Sequence, residues 1–418
     1  MGLLERSDFP STRREWVADF VAGLTVSIVA LPLAIGFGIT SGMSAASGIA
    51  TAIIAGFIAA LFGGSRFQVS GPTGAMTVVL LPVIAKFGVS AIPLLGAMAA
   101  IILFVMAALR IGAMIKRVPE PVVEGFTVGI AVVIALQQLP SALGVAKGAG
   151  ERTIPVAFHT MQNALSLGLH WWTLAVVALT LLIKFDLVKL LERFNIKPYV
   201  PASFAALIIT TVIVKVFNIR TDQIGSLPRN VAEWTPLHLA GSHFTSLLYP
   251  ALSIALLAAI EALLAARVAD ELMNIPKEQE FRPNQELMGQ GLATLFATLA
   301  GGMPSTGAIA RTNVNVRSHA NSRVAAMLHA LFLLLITIFL APLFSQIPRA
   351  AIAGVLIGTS FRIFNKATML KIFRGSPVHA AIFILTAIVV ISVDLIWGIG
   401  VGVIAYWISR VHVRIKTR

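Results

Sequence analysis

Apolar residues run through this chain in long blocks, broken by short polar or Gly/Pro-bearing stretches. Leu94–Leu109 and Trp171–Ile183 are two such blocks. Runs of roughly 17–25 apolar residues read as membrane-spanning helices. There is no period-2 alternation of the kind an outer-membrane barrel would need. The pattern predicts an all-α polytopic protein of about fourteen spans. They begin near Val17, Ser44, Thr73, Ala91, Pro121, Trp171, Val200, Thr245, Glu286, Thr306, Arg323, Ala350, Val378 and Leu395. The expected layout is a cytoplasmic N-terminus over 1–16 and spans 1–7 over 17–217. A loop on the opposite side covers 218–244, spans 8–14 cover 245–411, and a cytoplasmic tail covers 412–418.

Composition agrees. Of 418 residues, 57% are hydrophobic and 12% charged, too apolar for a soluble domain, and the mean hydropathy is +0.88. The net charge of +14 raises nucleic acid as a partner, but its distribution argues for none. With the N-terminus in the cytoplasm and alternating spans, only Lys86, Lys147, Arg152, Lys215, Arg220, Arg229 and Arg349 fall outside. The other basic residues fall inside, among them Arg13, Arg14, Arg110, Lys116, Arg117, Lys184, Lys189, Arg193, Arg362, Lys366, Lys371, Arg374 and Arg410–Arg418. That is the positive-inside bias of a protein in an inner or plasma membrane, with the bilayer as its partner. The first apolar run is too long for a signal peptide, and Arg13-Arg14 reads as an anchor rather than a twin-arginine signal. With no cysteine there is no thiol chemistry.

Two stretches recur. Thr73-Gly74-Ala75 of "PTGAMT" returns as Thr306-Gly307-Ala308 of "PSTGAIA". At nearly the same offset, "PEPVVEGFTVG" from Pro119 returns as "PRAAIAGVLIG" from Pro348. A duplicated half of about seven spans is odd in number, so the second copy enters from the other side as an inverted repeat. The third and tenth spans are short, and each follows a Gly/Pro-bearing stretch. Non-helical backbone at membrane depth must line a cavity or be covered by protein. The inverted topology makes the two helix starts meet near the midplane. Each start carries free N–H groups and a partial positive charge, so the pair forms an anion site. Thr73 and Thr306 are candidate caps, while Gly74, Ala75, Gly307, Ala308, Ile309 and Ala310 leave room for a ligand. Arg311 adds a full charge. Gly125/Gly129 and Gly354/Gly358 read instead as helix-packing glycines.

At these residues the chain resembles the SulP family of anion transporters over nearly its whole length, from Asp19 to the last span. "DFVAGLTV" (Asp19–Val26), "ALFGGSRFQVSGPTGA" (Ala60–Ala75) and "PNQELMGQGLATLFATLAGGMPSTGAIARTNVN" (Pro283–Asn315) carry the likeness. The resemblance implies a fourteen-helix inverted repeat. Its core (helices 1–4 and 8–11) would move like an elevator against a gate (5–7 and 12–14). It also places Phe37 at the substrate, and makes a homodimer a common assembly. Three positions depart from the family pattern. Pro32-Leu33-Ala34 lacks the Gln that many relatives carry, Ala310 replaces a Ser, and Glu261 is followed one turn on by Ala265 rather than Thr, which weakens a sodium reading. Most members continue into a STAS domain, and this sequence stops at Arg418, either shortened or a short member.

Glu261 is a carboxylate in an otherwise apolar run, and is read as the coupling residue for a proton, with sodium as the fallback. Glu120 and Glu124 read as charges at a helix start, Asp394 as a cap, Trp171 and Trp172 as interfacial anchors, and His329 as a packed, hydrogen-bonded core residue. The sequence has no nucleotide loop, zinc motif or nucleophile elbow, so no cofactor and no enzymatic activity are expected. The reading is a secondary active transporter of a small anion. The lost donors at Leu33 and Ala310 lean it towards a C4-dicarboxylate such as fumarate, with bicarbonate or sulfate as the alternative. An anion channel or a nucleobase–cation symporter on the same scaffold are the competing classes.

Overall fold

The computed structural model describes residues 6–115, 118–150, 152–193, 201–225, 233–235, 244–364 and 366–416. The first half comprises α1 (Arg13–Thr40), α2 (Ala45–Phe62), α3 (Gly74–Phe87), α4 (Ile92–Ala108), the single turn α5 (Gly112–Ile115), α6 (Glu120–Gln137), α7 (Leu139–Leu143), α8 (Thr153–Leu167), α9 (Trp171–Arg193) and α10 (Ala202–Val216). The second half comprises α11 (Phe244–Leu272), α12 (Pro283–Leu299), α13 (Ile309–Arg317), α14 (Val324–Phe344), α15 (Arg349–Ile363), α16 (Lys366–Gly375), α17 (Pro377–Ser392) and α18 (Leu395–Lys416). Every predicted span start lies within about one helical turn of an observed helix start. Much of the predicted loop 218–244 lies outside the described residues, as do Lys116, Arg117, Arg229 and the end of the tail.

Besides the short α5 and α7, two longer helices are additions to the predicted set. α8 (TIPVAFHTMQNALSL) and α16 (KATMLKIFRG) mix apolar and polar residues within one turn, so neither forms a continuous apolar run. Conversely, α3 and α13 span only 14 and 9 residues, as the Gly/Pro interruptions require.

Packing sorts the helices into two groups. α12 lies against both α2 and α4, and α14 lies against α1 and α2, while α11 contacts α3, α4 and α13. Separately, α6 packs on α17, α17 on α18, and α15 on α9. The repeated glycines sit where helices touch. A Cβ at Gly125 would lie 2.5 Å from the Phe383 carbonyl oxygen, and one at Gly354 would lie 2.9 Å from Thr180 Cβ. Lys184, expected among the cytoplasmic surface cations, is instead buried at this seam. Its ammonium donates to the Val355 carbonyl and the Thr359 hydroxyl, both at 2.6 Å.

Polar anchors fix the ends. Thr12 and Glu15 close a capping box on α1. Buried Asp8 lies 3.0 Å from Arg323, whose Nη1 also donates to the Ala60 and Leu61 carbonyls that end α2. Asp394 accepts from the Trp397 amide at 2.8 Å, the capping role expected of it. Glu120 opens α6 and pairs with Lys371 at 3.3 Å, as a helix-start charge should. Trp171 and Trp172 are exposed, as interfacial anchors would be.

Candidate functional site

The stretches before α3 and α13 meet as a two-residue antiparallel pair, β1 (Ser70–Gly71) with β2 (Thr306–Gly307). Ser70 faces Gly307 and Gly71 faces Thr306. The pair satisfies extended backbone that lipid could not, and it brings the two helix starts together from opposite halves. Ala308 N–H donates to the Val69 carbonyl at 2.9 Å, and Thr312 Oγ1 accepts from Val69 N–H at 3.1 Å. Asn315 Nδ2 reaches the Phe67 carbonyl at 2.8 Å. One face of α13 is thus bonded to segment 67–69, just before β1.

The predicted site residues take different places around this crossing. Phe37 on α1 is buried beside α3, with its ring 3.4 Å from where a Gly74 Cβ would stand. Gly74 and Ala75 form the first turn of α3. Ile309 is half-buried and Ala310 exposed on the first turn of α13, beside buried Ala308. Glu261 on α11 accepts a 3.0 Å hydrogen bond from the Thr73 hydroxyl and so joins the group. Gly307 is pressed against α11 and Gln68. A Cβ there would lie 2.9 Å from Ala262 Cα and 2.1 Å from Gln68 Nε2.

Three expectations are corrected. Thr73 occupies the N-cap position of α3 but makes no side-chain cap, because its hydroxyl is given to Glu261. Thr306 lies in β2 and donates to the Ala258 carbonyl at 3.2 Å, while Ala308 is the N-cap of α13. His329 is fully buried, as predicted, but neither ring nitrogen has a hydrogen-bond partner.

Arg311 is 1% exposed. Its Nη2 donates to the Pro72 carbonyl, just before α3, and Nη1 lies under Gly71 with no partner. The guanidinium crosses from one half of the chain to the other and keeps its charge buried at the junction.

Behind the crossing stands a network the sequence reading passed over. Buried Glu286 on α12 accepts from Gly64 N (2.8 Å), Ser65 N (3.0 Å), Gln68 Nε2 (2.8 Å) and Gln290 Nε2 (2.9 Å). Gln290 Nε2 also reaches Ser70 Oγ at 2.7 Å. This carboxylate fastens the α2–β1 turn of one half to a helix of the other. The spacing Glu286-x-x-x-Gln290 was its signal, since it puts both polar groups on one face of α12. A second missed residue is Ile134 of α6, whose Cδ1 lies 2.1 Å from where a Gly74 Cβ would be and so fills the space over the α3 start.

Residues 17–386 match the model of the sulfate permease family. YvdB of Bacillus subtilis is 34% identical over 391 residues, covering 92% of this chain and 72% of that protein. The bicarbonate transporter BicA of Picosynechococcus is 32% identical over 408 residues, covering 92% of this chain and 68% of that one. Among solved structures, the transmembrane domain of a cyanobacterial BicA superposes with a TM-score of 0.81 at 27% identity, covering 94% of this chain and 98% of that chain. Murine Slc26a9, an anion transporter captured facing inward, gives a TM-score of 0.81 at 15% identity, a likeness of fold. This chain therefore belongs to the sulfate permease (SulP) family of anion transporters, as an all-helical membrane protein of two inverted seven-span halves divided into core and gate.

Proposed function

We propose that this protein carries a small inorganic oxyanion, bicarbonate in the first instance, held between the first turns of α3 and α13. The carrying observation is how compact the site is. Ile134 and Phe37 crowd the start of α3, and Gly307 has no room beyond Gln68 and Ala262. These close contacts favour a small ligand over a dicarboxylate with a carbon middle. A small oxyanion needs dense donation once dehydrated, and two sets of helix-start N–H groups beside the buried charge of Arg311 supply it. The similarity to BicA supports bicarbonate, and the family description supports sulfate as the second reading.

The cargo constrains the coupling ion. A proton carried with bicarbonate amounts to carbon dioxide and water, which gains no alkali for the cell. If bicarbonate is the cargo, Glu261 works with sodium, and the Thr73 hydroxyl beside it offers an oxygen that Ala265 cannot. If sulfate is the cargo, protonation of Glu261 is the sufficient device. The basic-residue distribution supports an orientation with both termini cytoplasmic. Competition against labelled bicarbonate uptake in proteoliposomes tests the assignment. Excess unlabelled sulfate or bicarbonate should suppress uptake and fumarate should not. Suppression by excess fumarate, or saturable uptake of labelled fumarate with none of labelled bicarbonate, would restore the dicarboxylate reading.

A further inference from the structure

On the face opposite the helical N-terminus of α1, between core and gate, lies a cavity of about 1070 Å³. Its walls come from the ends of α1, α3, α6, α7, α9, α15 and α17 and from the segments flanking α8 and α10. Lys147, Arg152, Arg220 and Arg349 line it, against the carboxylates of Asp222 and Asp394. These are four of the few basic residues that the charge pattern places on this face. Asp394 is itself engaged, accepting from the Tyr249 hydroxyl and the Trp397 amide. Among the described residues none of the four cations is held in an ion pair.

The floor of the cavity points at the site. Gln137 and Thr40 line it. Gln137 Oε1 accepts from Thr77 Oγ1 at 3.0 Å, and that hydroxyl also donates to the Gly74 carbonyl at the start of α3. Gln138 Nε2 donates to Thr40 Oγ1 at 3.2 Å. Both bonds join the C-terminal end of α6 to core helices, so polar contacts that sliding of the core would break lie between the cavity and the start of α3.

We propose that this cavity is the anion's antechamber on this face, a water-filled positive compartment that gathers substrate and is closed off from the transport site by Gln137 and Gln138. Its volume is far above that of a small oxyanion, so it acts by raising local anion concentration rather than by enclosing one ion. Four cations against two carboxylates, one of them already engaged, leave the cleft net positive, and an excess of one sign of charge focuses the field in this way. Its role as substrate antechamber rests on the function proposed above; its sign and its access do not.

The chain has no cysteine, so a single Ser141→Cys on α7, at the cavity wall, reports on the compartment alone. The full-length variant is labelled with two methanethiosulfonates of similar size, one ending in sulfonate and one in trimethylammonium. The ratio of their rates is normalised to a free thiol. The anionic reagent should be favoured by about three- to tenfold at low salt, less at high salt. Partial burial lowers the pKa of the Lys147 ammonium, so the permanently charged arginines carry the test. Adding Arg152→Gln, Arg220→Gln and Arg349→Gln should return the ratio to that of the free thiol. A free-thiol ratio in the single variant, or an unchanged ratio after neutralisation, overturns the positive compartment. The triple variant without the cysteine should also raise the KM for bicarbonate entering from this face, with Vmax and the opposite direction unaffected. A shifted labelling ratio with an unchanged KM would leave the positive compartment standing and overturn its part in transport.

Discussion

At the scale of single residues, the account rests on two charges and a glycine. Arg311 ties the two halves through the Pro72 carbonyl while keeping its charge at the junction of the helix starts. Arg311→Ala should weaken anion binding by about tenfold or more, since a hydrogen bond to a charged group contributes about 1.5–3 kcal/mol. Calorimetric titration of the folded variant with bicarbonate checks this, and an unchanged affinity would remove Arg311 from the site. Glu261 has a partner in the Thr73 hydroxyl and a place beside β2, the position from which a carboxylate can link a cation to the anion. Glu261→Gln should lose cation-driven accumulation yet keep anion exchange, and uphill uptake at the wild-type rate would exclude coupling through Glu261. Gly307→Ala would drive a methyl into Gln68 and Ala262, whereas a Cβ at Gly400 meets nothing. The first should destabilise the protein by about 1–3 kcal/mol, the cost of overpacking a tight site. The second should be neutral or slightly stabilising, since alanine suits a helix interior better than glycine. Thermal unfolding of the two variants side by side reads the contrast.

At the scale of elements, the short helices and the breaks before them were legible because their cause is local, whereas the pairing of β1 with β2 joins distant segments and was not. Gly and Pro at membrane depth break a span, and the recurrence of Thr-Gly-Ala marked both breaks. What the local pattern could not give is where a side chain goes once the halves interlock. Thr73 reads as a cap in sequence, yet Glu261, from a distant helix, takes its hydroxyl. Ile134 reads as one more apolar residue, and only the packing of α6 on α3 turns it into a wall of the site. Lys184 reads as a surface anchor because its acceptors lie on α15, far along the chain. α8 and α16 escaped for a different reason, since amphipathic helices have no apolar run to detect. Glu286 marks the strength of the link between halves. Glu286→Ala leaves the Gly64, Ser65, Gln68 and Gln290 donors without their shared acceptor, and each buried orphan costs about 1–3 kcal/mol. A large fall in melting temperature is expected, with Glu286→Gln falling less.

At the scale of the whole molecule, two inverted halves put two helix starts, one arginine and one carboxylate at a single crossing, with core and gate joined above it by bonds as slight as Thr77 to Gln137 and Gln138 to Thr40. Span order followed from hydrophobic run length, the inverted halves from two recurring stretches and core and gate from the family resemblance, whereas the choice of anion depends on how closely side chains from separate spans approach. The lean towards a dicarboxylate came from counting lost donors at Leu33 and Ala310. Counting donors says nothing of how near Ile134 and Phe37 come to the start of α3, or of the likeness to BicA that favours an inorganic anion. Passage of a small oxyanion through this crossing, driven by a cation through Glu261, can be followed in proteoliposomes holding the purified protein and a trapped pH dye. They are given external bicarbonate with and without an inward sodium gradient at constant external pH. The interior should turn alkaline in a way that requires sodium, is absent with Arg311→Ala, and loses its sodium dependence with Glu261→Gln. An interior that stays unchanged with the wild-type protein, or turns alkaline equally fast with Arg311→Ala, would contradict the proposed passage.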